Sequence, residues 1–402
     1  MTSSARQLGL LTGWQTIAST CFYALFAGTA LLSDAIGLSR FQVGLVVTAG
    51  TLGYTVALFP VGAVVDGAGE KPVLVGGLLA LALGVVAVGL AGSYYPLLAA
   101  ACVLGAAYAT AMPATNRAIV TTIPAAIRGR AMGIKQVGVT GGSGVAAVLV
   151  VSFAPSVGAW NLGFLLVGGL AVAVALLFAL GYSGTPGGEW RLPDVRALGR
   201  NTAYVSLAGA GFFLGAALFT TVGYATLYLT DAVEVSVAVA GAGFAAMQVS
   251  GSGGRVVAGW VADRRTEPEA RANALVLLGQ ATLGVLLLAA LAIPGLPKPV
   301  AMAALVGVGA TVLGFTGLYY ACMTALVPTD EVGAATAGGQ TALNGGALLA
   351  PPAFGFLADA ISFRASWALL AGVATVGVAL LAVTIRRTGD PTAGGLVPYA
   401  AS

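Results

Sequence analysis

The sequence contains no histidine and very little charge. Only 8% of its 402 residues are Asp, Glu, Lys or Arg, whereas an average soluble domain has roughly 25%. With 18 basic and 14 acidic residues, the chain cannot cover a globule of this size with a charged shell. The composition therefore excludes a cytoplasmic enzyme, a nucleic-acid-binding protein and a disordered scaffold.

Apolar residues dominate instead: they make up 58% of the chain, and the mean hydropathy is +0.95. The apolar residues form long unbroken runs, which excludes the alternating pattern of an outer-membrane barrel. A bilayer-crossing helix needs about 20 predominantly apolar residues. The sequence predicts twelve such helices, near residues 9–33, 41–63, 73–92, 95–118, 131–153, 158–181, 203–229, 237–260, 273–293, 299–325, 333–357 and 365–385. The predicted fold class is an all-α integral membrane protein.

Basic residues cluster on one side of the predicted spans, which indicates the orientation of the chain. If both termini are cytoplasmic, the cytoplasmic side holds Arg6, Lys71, Arg128, Arg130, Arg191, Arg196, Arg200, Arg264, Arg265, Arg271, Arg386 and Arg387. The other side holds Arg40, Lys298 and Arg364. This bias predicts a multi-pass protein of the cytoplasmic membrane, and the net charge of +4 reflects topology rather than a nucleic-acid partner.

The chain also repeats itself. One set of residues recurs 197 positions later: Leu32, Asp34, Ser39, Gly44, Gly62 and Asp66 match Leu229, Asp231, Ser236, Gly241, Gly259 and Asp263. A second set recurs at an offset of 204: Pro124, Gly129, Gln136, Gly141 and Gly142 match Pro328, Gly333, Gln340, Gly345 and Gly346. The repeat predicts two six-helix bundles, 1–181 and 203–386, joined by a cytoplasmic linker at 182–202 and followed by a cytoplasmic tail at 387–402. Two such halves suit alternating access to a site near the membrane midplane.

Several motifs resemble those of the major facilitator superfamily. The segment from Gly62 through Asp66 to Lys71 is similar to its loop signature, and Gly259 to Arg265 begins a second copy. Asn116-Arg117 and the segment 123–133 resemble the junction between its fourth and fifth spans. The resemblance covers nearly the whole chain and implies that superfamily's fold, two pseudo-symmetric six-helix bundles. The first copy departs at Gly67, where the signature usually has Arg.

The resemblance also implies gating residues at the cytoplasmic side. In that fold, Asp66 is expected to face the start of span eleven near Gly333, and Asp263 the start of span five near Gly129. A carboxylate is stabilised near the positive end of a helix, which gives such contacts a physical basis. The alternative is that each aspartate caps its own loop. Arg117, which could pair with Asp66, and Arg264 complete the predicted gating set.

Three cations, Arg117, Lys135 and Arg255, fall inside predicted spans, whereas no acidic residue lies away from a span end. A buried cation without a partner is costly, and a transported anion is one possible compensation. Around Arg255, span eight is similar to that of monocarboxylate and oxalate/formate-type carriers, in which an arginine holds the substrate carboxylate. The alternative is that Arg255 pairs with helix carbonyls or snorkels to the cytoplasm.

Lys135 could converge with Arg255 on one anion, because spans five and eight meet between the halves of that fold. The alternative is that Lys135 snorkels to cytoplasmic water. Oxalate-type carriers add a lysine in span eleven, and residues 338–344 have none, which argues against a dianion clamp of that design. The remaining candidate substrate contacts are neutral polar side chains, for which helix packing is the alternative role: Gln15, Tyr23, Tyr108, Gln136, Gln248, Tyr319, Tyr320, Gln340 and Asn344.

No motif for enzyme chemistry occurs in the sequence. It has neither histidine nor paired carboxylates, and the spacing of Cys21, Cys102 and Cys322 suits neither disulfides nor a metal, so we expect no cofactor. The predicted function is a monomeric, secondary active or facilitative carrier of a small organic anion, with a proton or counter-anion as a coupling partner. The alternative is a carrier of neutral or lipophilic solutes such as sugars or drugs.

Overall fold

The computed structural model describes residues 3–124, 128–157, 160–188, 197–327 and 332–388. Within these ranges all regular secondary structure is helical. The first eight helices are α1 (Ser3–Ala27), α2 (Thr29–Ile36), α3 (Arg40–Ala68), α4 (Glu70–Leu90), α5 (Tyr94–Tyr108), α6 (Ala111–Thr122), α7 (Arg128–Val157) and α8 (Leu162–Gly181). The next seven are α9 (Thr202–Asp231), α10 (Val237–Asp263), α11 (Glu269–Leu291), α12 (Lys298–Val308), α13 (Thr316–Ala325), α14 (Val332–Ala360) and α15 (Phe363–Thr388).

Each of the twelve predicted spans coincides with one helix or with two successive helices. In the described part of the chain, nine spans are long and apolar enough to cross a membrane, and the bent pair α1–α2 makes a tenth. The other two positions are occupied by α10 and α14, which have 27 and 29 residues. These two helices contain Gln248, Arg255, Gln340 and Asn344, so they are rich in polar candidates for the functional site.

Three predicted spans are not continuous helices. The first bends by 49° between α1 and α2, at Gly28, where an added Cβ would lie 2.5 Å from the Phe164 ring. The fourth is interrupted after Tyr108, between α5 and α6. The tenth contains a π-helical segment, Gly309–Leu313, and an added Cβ at Gly309 would overlap the carbonyl of Met247. At Gly28 and Gly309, contact with a neighbouring helix requires glycine.

The internal repeat is visible in the geometry. Helices α3 and α10 both begin after a serine N-cap, Ser39 and Ser236, and these serines lie 197 positions apart. In each case the serine side chain accepts a hydrogen bond from the third residue of its helix, which satisfies a free N–H group. Thr29 and Thr226, also 197 positions apart, hydrogen-bond to each other at 2.8 Å across the two halves.

We name the two ends of the helix bundle by their residues. The linker face carries Asp66 and residues 182–188, and the Arg40 face carries Arg40 at the opposite end of α3. The halves α1–α8 and α9–α15 meet mainly along two interfaces, α3 with α14 and α7 with α10, and α9 makes smaller contacts with α1, α2 and α3. Glycines allow close approach at the first of them, because an added Cβ at Gly44 would overlap the carbonyl of Pro351.

Candidate functional site

A cavity of about 670 Å³ lies between the halves, and we call it the central cavity. It runs from the middle of the bundle to the linker face, where Asp66, Val120 and Val332 line it. Its polar side chains come from both halves. They are Tyr54, Asp66, Asn116, Lys135 and Gln136 from the first half, and Tyr320, Thr336 and Gln340 from the second.

Lys135 is the buried cation of this cavity, and its side chain is only 1% exposed. Its ammonium group donates to Asn116 Oδ1 at 2.7 Å and to Thr115 Oγ1 at 3.1 Å. The Met112 sulfur lies 3.8 Å away on the same side. Met112, Thr115 and Asn116 share one face of α6 because they are three and four residues apart. Within the described residues, the contacts of the Lys135 ammonium are therefore with neutral groups of α6.

Arg255 is placed differently from the expectation that it shares one anion with Lys135. It lines a separate pocket of about 480 Å³ between α10, α11 and α13, which we call the side pocket, and is not among the residues that line the central cavity. Its Nη2 donates to the Leu313 carbonyl at 3.2 Å, and its Nε is buried without a partner among the described residues. The contact with a helix carbonyl is part of the alternative considered for this residue.

Arg255 nevertheless lies close to a tyrosine of the central cavity. Its electrostatic neighbours are the phenols of Tyr23, Tyr108 and Tyr320, and Tyr320 lines the cavity itself. Within the described ranges, neither Arg255 nor Lys135 has a carboxylate oxygen within 4.0 Å. Two positive charges thus lie inside the helix bundle, one in the cavity wall and one close to it.

A chain of neutral polar groups continues from the cavity into α14. The Tyr320 hydroxyl donates to Gln340 Oε1, and Gln340 Nε2 donates to Asn344 Oδ1 at 2.8 Å. Asn344 is fully buried, and its Nδ2 has no hydrogen-bond partner in the part of the chain that the structure describes. Gln136 Oε1, on the opposite wall, is also buried without a partner. Unpaired amides of this kind can bind a solute because burial without a hydrogen bond is unfavourable.

The other neutral candidates lie outside the lining of the central cavity. Gln15 donates to Ser19, whose hydroxyl hydrogen-bonds Tyr108, so this chain joins α1 to α5. Tyr319 donates to the Gly339 carbonyl at 3.0 Å and is fully buried in helix packing. Tyr23 is half-buried, and Gln248 is buried with its Nε2 unpartnered.

The predicted gating residues form contacts within their own halves. Arg117 pairs with Asp66 at 3.2 Å, which is the pairing suggested by the sequence, and with Glu70 at 3.3 Å. In the second half, Arg264 stacks over the Trp260 ring at 3.4 Å. The side chains around positions 129 and 333, where we expected contacts with Asp263 and Asp66, lie outside the described residues.

Next to Asp263, the exposed loop between α10 and α11 contains an ion pair of its own. Arg265 donates to Glu267 at 2.8 Å. This hydrogen bond lowers the pKa of the Glu267 carboxyl from its ordinary value. Since both groups face solvent, the pair contributes little to stability.

The first residues of the linker pack against the Asp66 loop, which the sequence did not indicate. Glu70 is fully buried and accepts hydrogen bonds from the Thr185 amide at 2.7 Å and from the Tyr182 hydroxyl at 3.3 Å. Burial, and then the nearby Glu70 carboxylate, raises the pKa of Tyr182. Arg117 also donates to the Pro186 carbonyl at 3.0 Å. Glu70 therefore joins the start of α4 to the first residues of the linker.

The part of the chain that the structure describes has no group of three or more Cys, Asp or Glu side chains placed to hold a metal ion. Cys21, Cys102 and Cys322 are free thiols. The site therefore consists of a cavity between two helix bundles, two cations without acidic partners in the described ranges, and several amides with free hydrogen-bonding capacity. This arrangement suits reversible binding of a solute.

Comparisons with known proteins identify the family. The family model described as Major Facilitator Superfamily matches residues 12–337. Because this match covers most of the chain, the protein belongs to the major facilitator superfamily. It is a multi-pass membrane transporter rather than an enzyme, and its predicted fold class is confirmed.

One curated relative is the probable sulfoacetate transporter SauU of Cupriavidus necator. It is 31% identical over 158 residues, which are 39% of this chain and 36% of that protein. The aligned region thus spans little more than a third of the relative's length.

Two solved structures share the fold. A bacterial homolog of the human lysosomal transporter Spinster, in an inward-facing and occupied conformation, has a TM-score of 0.78 and 18% identity, covering 97% of this chain and 98% of that one. The nucleoside transporter NupG has a TM-score of 0.78 and 14% identity, covering 94% of this chain and 99% of that one. At these identities the likeness shows the fold alone.

Proposed function

We propose that this transporter carries a small organic anion, with a carboxylate as the group that the site recognises. The observation that carries the proposal is the placement of Lys135 and Arg255, two cations inside membrane-spanning helices with no acidic partner in the described ranges. A buried cation that lacks a counter-charge is expensive in a membrane. A bound anion would supply that counter-charge.

The sulfoacetate transporter supports this proposal, because sulfoacetate is an organic anion. The similarity covers 39% of the chain, so it supports the substrate class rather than one compound.

In the proposed mechanism Lys135 contacts the anion directly, because it lines the central cavity. Gln136, Tyr320, Gln340 and Asn344 supply neutral hydrogen bonds. Arg255 attracts the anion electrostatically from the side pocket, and its buried Nε, which has no partner in the described ranges, gives it a free donor for a rearranged state. In this assignment Lys135 and Arg255 do not hold the anion at the same time, whereas the sequence predicted that they could share it. The anion instead binds Lys135 first and reaches Arg255 in a later state.

We further propose that the linker face is cytoplasmic, with both termini on that side of the cytoplasmic membrane, as the distribution of basic residues predicts. On that assignment the central cavity reaches the cytoplasm while the Arg40 face is closed. Residues 1–181 and 203–386 would then rock as two bodies, and Asp66, Arg117, Asp263 and Arg264 would act at the cytoplasmic gate.

Uptake into proteoliposomes tests the substrate class. The purified protein should accumulate labelled sulfoacetate or another small carboxylate, and Arg255→Ala and Lys135→Met should each reduce the rate by roughly tenfold or more, because each removes a positive charge that attracts the anion. Arg364→Ala is the matched control, because this arginine is exposed at the Arg40 face. Wild-type rates in both the Arg255 and Lys135 variants would exclude anion transport by this site.

A carrier of neutral or lipophilic solutes is the second candidate, favoured by the apolar side chains of the cavity wall: Leu58, Phe59, Met112, Pro113 and Met132. A thermal-shift screen separates the two candidates because a ligand that binds the folded state raises its stability. Stabilisation by carboxylates supports the first candidate, whereas stabilisation only by sugars or hydrophobic compounds supports the second. Uptake is then measured with an imposed proton gradient or with a preloaded counter-anion, and the gradient that drives uptake identifies the coupling partner.

A further inference from the structure

We propose that Asn116 is a positioning residue that keeps the central cavity selective for anions, because it holds the Lys135 ammonium with a neutral oxygen. This inference rests on the proposed function. The closest contact of the ammonium is Asn116 Oδ1, at 2.7 Å, a distance typical of a strong hydrogen bond. An acidic residue in this position would fix the lysine equally well but would cancel its charge.

One N–H group of the Lys135 ammonium lacks a strong acceptor. A lysine carries three N–H donors. Two of them point to Asn116 Oδ1 and Thr115 Oγ1, and the third faces the Met112 sulfur at 3.8 Å. A thioether is a weak acceptor. An anionic oxygen from the cavity can therefore replace the sulfur while the other two contacts stay in place.

The carboxylate that lines the cavity pairs with an arginine and not with Lys135. Asp66 is the carboxylate among the side chains that line the cavity, and it pairs with Arg117 at 3.2 Å. Asn116 and Arg117 are neighbours on α6 with different tasks. Asn116 binds the cation at the middle of the cavity, while Arg117 binds the acid at its linker-face end. Together they leave one positive charge in the cavity without a counter-charge.

Two substitutions of similar size separate charge from structure. Asn116→Asp keeps the shape and an acceptor oxygen but adds a negative charge next to Lys135. Asn116→Leu keeps a similar volume without charge or acceptor, so the lysine retains its charge and loses only its closest partner. Lys135→Met provides the reference for complete loss of the cation.

The experiment measures the concentration of sulfoacetate that half-saturates uptake, together with the thermal midpoint of each variant in detergent. Asn116→Asp should raise the half-saturating concentration by roughly tenfold or more, with a thermal midpoint equal to or above that of the wild type, because its carboxylate repels the anion and pairs with the lysine. Asn116→Leu should raise that concentration only a few fold and lower the midpoint.

Three outcomes are distinguishable. If the wild type transports no anion of the carboxylate panel, the proposed function fails. If the wild type transports sulfoacetate, Lys135→Met abolishes transport and Asn116→Asp behaves as the wild type, only the role of Asn116 is refuted. Equal losses in the Asp and Leu variants, each in proportion to a lowered thermal midpoint, would also refute it, since they would indicate a purely structural role.

Discussion

The two interfaces between the halves are related by the internal repeat, yet they are built differently. Polar contacts at the Arg40 face stabilise the α3–α14 interface. The amides of Arg40 and Phe41 donate to the Asp359 carboxylate of α14 at 3.1 and 2.9 Å, and beside them Arg40 pairs with Asp231, the last residue of α9, at 3.2 Å. Thr48 donates to the Leu348 carbonyl at 3.0 Å further along the same interface.

Among the described side chains, the α7–α10 interface has few polar contacts. Thr140 and Ser252 hydrogen-bond to each other, and beside them lies an open groove of about 660 Å³ lined mainly by valine and glycine. The repeat offsets explain the difference, because Arg40 corresponds to Val237 and Asp359 to Pro155. We infer that the α3–α14 interface determines which face is closed, while the α7–α10 interface offers little resistance to movement.

The largest expected effect comes from filling space at the stronger interface. A Cβ at Gly355 of α14 would overlap the Tyr224 hydroxyl and the Arg40 carbonyl, so Gly355→Val should destabilise the closed Arg40 face by roughly 1–3 kcal/mol. Gly144 of α7 has nothing within 4 Å of an added Cβ, so Gly144→Val should change stability by no more than about 0.5 kcal/mol.

Thermal unfolding of the two valine variants in detergent, together with spin-label distances across the Arg40 face, measures this difference. Equal effects of the two substitutions would contradict the proposed inequality of the interfaces.

The next effect is that of the charged cluster formed by Arg40, Asp231 and Asp359. Arg40→Ala should lower the stability of the closed Arg40 face by about 1–2 kcal/mol, since it removes an ion pair and the guanidinium contact with the Ala358 carbonyl. The readout is thiol labelling of Val47→Cys, a fully buried position, in a protein whose native cysteines are replaced by alanine.

Faster labelling is expected in the Arg40→Ala background, and unchanged labelling in the background of Val237→Ala, the repeat counterpart. If Arg40→Ala leaves the labelling rate unchanged, this cluster does not hold the face closed.

A smaller effect requires no mutation. The side chains of Arg40 and Asp231 are about a third exposed, so dissolved salt can screen their attraction. Raising the ionic strength from about 0.05 to 1 M should increase the labelling of Val47→Cys by no more than a few fold, which matches the modest energy of a surface pair. The dependence should disappear in Arg40→Ala, and its persistence there would assign the salt effect to other charges.

The smallest effect should come from the polar contact of the weaker interface. A double-mutant cycle with Thr140→Val and Ser252→Ala should give a coupling energy of about 0.6 kcal/mol, the average for hydrogen bonds between membrane helices. Unfolding in mixed micelles provides the measurement. A coupling energy larger than the effect of Arg40→Ala would reverse the order of the two interfaces.

The sequence predicted the helix positions well because long apolar runs in a bilayer leave few alternatives. It did not predict the breaks at Gly28, after Tyr108 and at Gly309–Leu313. At Gly28 and Gly309 the break accompanies contact with a distant part of the chain, Phe164 in one case and Met247 in the other. A local pattern contains no information about such neighbours.

The sequence identified some residues of the candidate site and missed others, because it does not show which side chains meet between helices. Lys135 stands out in the sequence because charge is rare inside a span, whereas Asn116 does not stand out, and only the packing of α6 on α7 shows that it binds Lys135. The shared anion for Lys135 and Arg255 assumed that neighbouring spans direct their side chains into one cavity. The side chain of Arg255 instead binds the carbonyl of Leu313, at the break in the tenth span.

The hydrogen bond between Thr29 and Thr226 has a further meaning. Each threonine meets its own counterpart in the other repeat, which is the geometry of an isologous contact at a two-fold axis. If a single six-helix ancestor assembled as a homodimer, one threonine could have made this contact with its copy in the partner chain. A chimeric protein in which the second repeat is replaced by a copy of the first would preserve this contact, and it would lose the Arg40–Asp359 contacts, because a copy of Pro155 would then stand at the position of Asp359.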